Sequence, residues 1–260
     1  MIIPIKAGIR ENHNKLFRLL AKIRGLFKNS NVNDYRTIPV IINNFNRFEC
    51  LTLLINWLED AGMKKIYIID NNSTYPPLLK YYNETPHTVF RLNKNVGYMS
   101  LWQTHVFMWF KNIPYVYTDP DVVPIEQCPN DAVLHFWKLL CKYPEVGKVG
   151  FALKIDDIPD HYPLKEEVQS WEAKFWKKEI ENDVYEAMID TTFALYRANK
   201  WGDAGMLKGL RTAGSYIARH LPWYIDPMEL SDEERYYQEH ANSQSSWYQR
   251  LVGKTKSYNG

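Results

Sequence analysis

Between Ile38 and Thr118 the chain alternates short apolar runs with stretches of helical periodicity. Ile38-Pro-Val-Ile-Ile-Asn43, Lys65-Ile-Tyr-Ile-Ile-Asp70, Thr88-Val-Phe-Arg-Leu92 and Tyr115-Val-Tyr-Thr118 are nearly continuous apolar or aromatic runs, as strands covered on both faces require. Between the first two, Phe48, Leu51, Leu54, Ile55 and Leu58 recur at helical spacing, and Gly62 closes the helix. Pro76 opens a second helix that runs to about Asn83, and Met99 to Lys111 reads as a third. The strand ends fall 27, 22 and 26 residues apart, the length of a β-α unit. Successive units of this kind imply an α/β fold with a mostly parallel sheet flanked by helices.

Beyond Thr118 the pattern loosens. Asp131 to Tyr143 is helical, with Val133, Phe136, Trp137, Leu140 and Cys141 on one face. Val149 to Ile155 and Thr192 to Arg197 read as strands, Glu166 to Glu179 as a helix, and Ser231 to His240 as a capped surface helix. Four glycines between Gly202 and Gly214 predict a loop suited to closing over a ligand. At the other end, Lys6, Arg10, Lys15, Arg18, Lys22, Arg24 and Lys28 face a single acid, Glu11, before Asp34. With Leu16, Leu19, Leu20, Ile23, Leu26 and Phe27 they describe a basic amphipathic helix. Such a helix suits peripheral contact with an anionic membrane, or packing on the domain with a solvated basic face. The organisation expected is therefore residues 1–35 as that helix and a linker, 36–125 as one half of a domain, 126–244 as its second half, and 245–260 as a tail.

Composition adds limits. A chain of 260 residues, 45% hydrophobic, builds one large domain with a real core. A net charge of +2 implies no broad nucleic-acid surface. Three cysteines, Cys50, Cys128 and Cys141, match neither a disulfide framework nor a zinc site, which points to a reducing, cytoplasmic setting. No apolar run reaches membrane-span length, and no signal peptide is visible. Aromatics reach 15%, which suits a protein that stacks on rings; Trp171, Trp176, Trp201 and Trp223 are candidates, with core packing as their alternative.

Ligands of open α/β sheets sit beyond the carboxyl ends of the strands. Here those ends are polar: Asn43-Asn-Phe-Asn-Arg47, Asp70-Asn-Asn-Ser73, Asn93-Lys-Asn-Val-Gly97 and Asp119-Pro-Asp121. Pro120 biases Asp119 toward extended geometry, and residues two apart in an extended segment point the same way. Asp119 and Asp121 can thus share one hard divalent cation. No glycine-rich phosphate loop follows the first strand, which argues against dinucleotide and P-loop sites.

Asn-Phe-Asn-Arg, Ile-Asp-Asn-Asn-Ser, Asn-Val-Gly-Tyr and Asp-Pro-Asp together resemble the nucleotide-sugar half of a GT-A glycosyltransferase of the family-2-like, DxD-containing type, chiefly over residues 38–125. The resemblance implies a GT-A sheet with a C-terminal acceptor-side region. It also implies a metal-dependent enzyme that uses Mn2+ or Mg2+. That enzyme would move a sugar from a nucleotide-diphosphate sugar, a UDP-sugar above all, to a hydroxyl of a glycan or lipid-linked acceptor, with inversion. By the same resemblance Asp70 would accept a hydrogen bond from uracil. Asn43 and Arg47 would line the nucleotide pocket, and Asn95 and Gly97 would lie near base and ribose. Asp119 would sit near ribose and metal, Asp121 would be the main metal ligand, and His220 a further one. Arg211 and Arg219 would contact the diphosphate. Asp190 would take the acceptor proton, with Glu172 and Asp156 as rivals. Asp70 has a plainer alternative as a turn cap, and Arg47 as a solvated helix-start residue. The alternatives for function are a retaining GT-A transferase, a nucleotide-sugar nucleotidyltransferase and a non-catalytic nucleotide- or sugar-binding protein.

Overall fold

The computed structural model describes residues 1–5, 32–202 and 207–240. Five parallel strands open one sheet in the spatial order β1 (Ile2–Ile5), β4 (Thr88–Leu92), β3 (Ile66–Asp70), β2 (Val40–Asn44) and β5 (Tyr115–Thr118). Helix α1 (Glu49–Asp60) follows β2 and α2 (Pro76–Glu84) follows β3, as the periodicity predicts. β2, β3 and β5 are buried on both faces. Val40, Ile42, Ile68 and Val89 pack into one core with Leu51, Leu54 and Leu58 of α1. Ile41, Tyr67, Ile69 and Phe90 pack into another with Phe110, Tyr115 and Tyr117. Each fully buried leucine of α1 contributes about 1.5–3 kcal/mol. The α/β class is therefore the one expected: a large, mostly parallel sheet flanked by helices.

The second half continues the same sheet. β10 (Ala194–Tyr196) lies antiparallel between β5 and β7 (Lys148–Leu153). β11 (Gly209–His220) runs parallel to β7, and beyond it lies the hairpin of β8 (Glu179–Glu181) and β9 (Val184–Glu186). The far end of β11 also pairs with β6 (Val122–Pro124). Three further helices are α3 (Ser100–Gln103), α4 (Ala132–Lys142) and α5 (Lys165–Ala173), and α6 (Asp232–His240) closes the described chain.

Several expectations are corrected. The chain's first residues are not helix and linker: Ile2–Ile5 form an edge strand on β4. The basic helix itself and the tail at 245–260 lie outside the described residues. The third helix stops at Gln103, because Thr104 is extended and its hydroxyl accepts from the Val106 N–H to start a separate 3-10 turn. The glycine-rich segment is not a loop throughout, since β11 begins at Gly209. A Cβ at Gly209 would stand 2.8 Å from the Ala187 carbonyl oxygen, and Gly214 has φ +59 beside Asp183. These two glycines serve close strand approach and a bulge rather than looseness.

Candidate active site

Asp119 follows β5 directly, and β5 pairs antiparallel with β10 so that Tyr117 faces Ala194. That register carries the segment before β10 over Asp119. Thr191 donates its hydroxyl to Asp119 Oδ2 at 3.0 Å, and Asn43 at the end of β2 donates to Oδ1 at 3.3 Å. Asn43 is itself fixed, because its Oδ1 accepts from Asn71 Nδ2 at 2.5 Å and from the Ser100 hydroxyl at 2.6 Å. Asn71 also donates to the Gly97 carbonyl at 3.1 Å. Gly97 takes φ +80, and its N–H donates to Asn95 Oδ1 at 2.8 Å. The ends of β2, β3, β4 and β5 are thus laced together through Asn43, Asn71, Asn95, Gly97 and Asp119. Burial, then the neighbouring Asp121 and Asp190 charges, push the Asp119 carboxyl up to about 8, against the pull of Asn43 and Thr191.

Asp121 meets His220 by sheet pairing. His220 faces Val122 across the β6–β11 ladder, and the Leu221 N–H donates to the Asp121 carbonyl at 2.8 Å. His220 Nε2 stands 3.8 Å from Asp121 Oδ2. Asp121 Oδ1 and His220 Nδ1 are both buried without a partner, the kind of orphan that a ligand satisfies. Burial lowers the His220 pKa despite the Asp121 carboxylate, which favours the neutral imidazole a metal needs. Among the described residues, no group of three or more His, Cys, Asp or Glu side chains stands ready-made for a metal. Asp121 and His220 thus form a carboxylate–imidazole pair with the protonatable Asp119 beside it, a partial donor set with two orphaned atoms.

Asp121 and His220 share a cavity of about 120 Å3 with Arg47, Tyr162, Trp223, Leu230 and Glu234. Arg47 is no solvated helix-start residue. It is 5% exposed, pairs with Glu234 of α6, and lies under the Tyr237 ring at 3.6 Å. The preceding Asn46 takes φ +52, and its side chain caps α2 by accepting from the N–H groups of Thr74 and Tyr75 at 2.8 and 3.0 Å. Glu233 accepts from the N–H groups of Phe48 and Glu49 at 2.6 and 2.7 Å, and so caps α1 from a distant part of the chain.

The other candidate residues lie in varied settings. Asp70 is buried; its Oδ1 accepts from the Ser73 N–H at 3.0 Å and so caps the turn after β3, while its Oδ2 faces Arg91 at 3.3 Å and has no hydrogen-bond partner. Arg211 is buried, bound to Glu172 at 2.6 Å and to the Met188 carbonyl at 2.8 Å, so Arg211 and Glu172 are each other's charged partner. Arg219 is committed to Asp157 at 3.0 Å, and Asp156 to Lys154 at 2.7 Å. Trp223 is core, while Trp171 and Trp201 are exposed and Trp176 is half-buried. Asp190 is exposed just before the bend that leads into β10, beside Asp119. Residue reasoning missed Thr191, Asn71, Ser100, Glu233 and Glu234, whose roles arise from pairing register and helix packing. The two glutamates, in the acidic first turn of α6, carried a faint signal. No described helix is long and apolar enough to cross a membrane.

No family model matches the sequence, and no curated protein matches it. Among solved structures, the chain is similar to a mannosyltransferase from Pyrobaculum calidifontis in complex with GDP-Man and Mn2+. The identity is 16% and the TM-score 0.46, covering 78% of this chain and 63% of that one. It is also similar to glucosyl-3-phosphoglycerate synthase from Mycobacterium tuberculosis in complex with phosphoglyceric acid. There the identity is 9% and the TM-score 0.41, covering 75% of this chain and 64% of that one. The chain thus spans a little under two thirds of the length of both.

Proposed function

We propose that this chain is a glycosyltransferase that moves a sugar from a nucleotide-diphosphate sugar to an acceptor hydroxyl. The observation that carries the reading is the convergence of Asp119, Asp121 and His220 at the carboxyl edge of the sheet, with unpartnered polar atoms on Asp121 and His220. A divalent cation, Mn2+ or Mg2+, would be held by Asp121 and His220 with Asp119 beside them, and would supply positive charge against a diphosphate leaving group. Asn43 and Thr191 hold Asp119 in place, and the Asn95–Gly97 turn walls the same edge. Asp190, exposed beside Asp119, would take the proton of the acceptor hydroxyl in an inverting transfer. The resemblance of the sequence favours a UDP-sugar donor and a glycan or lipid-linked acceptor. Asp70, buried at the end of β3 with an unpartnered Oδ2, is the candidate for uracil.

Thermal shift with UDP, GDP, CDP and dTDP, with and without Mn2+, tests the donor half of the reading. One nucleotide stabilises the protein in a metal-dependent way, and Asp121→Asn abolishes the metal-linked part. Hydrolysis of a sugar-nucleotide panel tests turnover, and Asp190→Asn abolishes transfer while sparing donor binding. One rival is a nucleotide-binding protein without turnover. Metal-linked nucleotide binding with no hydrolysis of any donor would select it.

A further inference from the structure

We propose that Arg47 and the N-terminus of α1 form a phosphate-binding site that α6 occupies with its own carboxylates. The inference rests on the donor-binding reading above and adds a masked state of that site. Two positive features lie side by side there. The first is the Arg47 guanidinium, whose Nε is buried without a partner and which forms a wall of the cavity shared with Asp121 and His220. The second is the start of a 12-residue helix whose own N-cap, Phe48, offers no side-chain acceptor. Each is met by one of two successive carboxylates, Glu234 on Arg47 and Glu233 on the N–H groups of Phe48 and Glu49.

The way α6 is held makes it displaceable. A surface helix normally docks through an apolar stripe. The fully buried residues of α6 are instead Glu233 and Glu234. Tyr236 and Tyr237 add ring contacts, on Tyr75 at 5.0 Å and on Arg47 at 3.6 Å, but both tyrosines stay half-exposed. The helix is anchored by the anions it delivers. A ligand bringing two linked anionic groups to the same place competes for the same partners, and a diphosphate is that ligand. Binding then exchanges the internal carboxylates for phosphate oxygens and frees α6.

The test titrates pyrophosphate, with and without Mn2+, into wild type, Glu234→Gln and Arg47→Gln by calorimetry. Hydrogen exchange of residues 232–240 is followed in parallel. Glu234→Gln removes the competitor, and pyrophosphate binds at least about tenfold tighter than to wild type. Arg47→Gln loses binding. In wild type, saturating pyrophosphate raises exchange across α6. If Glu234→Gln does not fold, Glu234→Asp, which keeps the charge but withdraws it by one methylene, serves the same comparison. Unchanged or weaker pyrophosphate binding in the glutamate variants, or α6 protection that pyrophosphate does not alter, would overturn the inference and leave these pairs as structural ties. The donor reading fails separately: no nucleoside diphosphate would bind wild type and no sugar nucleotide would turn over, even while pyrophosphate displaces α6.

Discussion

Asp119 gives the sharpest quantitative prediction. Burial and the Asp121 charge push its carboxyl up to about 8, far above the 3.8 of a free aspartic acid. The folded protein therefore keeps a proton on Asp119 that the unfolded chain releases near pH 4. A group raised in this way contributes stability that is complete below its unfolded value and is lost as the pH climbs through its folded value. Between pH 5 and pH 7 one extra proton stays on the folded state, so stability falls with rising pH. The fall is at most roughly 3 kcal/mol over the interval. Buried histidines pull the other way, since burial lowers His87, His135 and His220. Subtracting Asp119→Asn from wild type cancels their contribution. The assay is urea unfolding of metal-free protein at pH 5, 6 and 7 for both proteins. The difference between them should shift steadily with pH in the direction that disfavours wild type at pH 7. Parallel pH profiles would mean that Asp119 is already ionised in the folded state, and the desolvation argument would be wrong.

The same proton predicts a metal linkage: calorimetry of Mn2+ binding at pH 7 in two buffers of different ionisation enthalpy should show release of about 0.9 proton, and none in Asp119→Asn. Glu233→Ala removes the remote cap of α1 and should cost about 1–2 kcal/mol in urea unfolding, with faster amide exchange at Phe48 and Glu49; unchanged exchange there would refute the capping role. Glu172→Ala strands the buried Arg211 charge and should cost about 3–5 kcal/mol while leaving nucleotide affinity per folded molecule intact. A selective loss of nucleotide binding in that variant would return Arg211 to the diphosphate.

Strands were the most legible part of this chain where apolar runs were uninterrupted. β4 and β5 match the expected runs residue for residue, because a strand covered on both faces admits few polar positions. β11 was hidden because its glycines look like loop residues in isolation. Only the neighbouring Ala187 carbonyl and Asp183 side chain show why a side chain does not fit there. The acidic pair was named from the polar strand ends and His220 from the family resemblance; the β6–β11 ladder sets His220 3.8 Å from Asp121. The settings of Asp70 and Arg211 were not legible for a common reason. A charged residue at a strand end or in a polar segment gives no sign of whether its partner is solvent, ligand or a buried counter-ion. The partners that decided the matter, Ser73 and Arg91 for one and Glu172 for the other, are set by packing.

The edge strand β1 has a practical consequence. Its four residues cover the outer rim of β4 along the full register from Val89 to Leu92, and the Met1 amine reaches the His87 carbonyl at 3.1 Å. Shortening the protein to its regular α/β repeat, by starting near Val32, would strip that cover. It would leave a row of open amide and carbonyl groups able to recruit strands from other molecules. An expression design that discards the opening pentapeptide as a dispensable extension should therefore yield aggregates, whatever becomes of the catalytic edge.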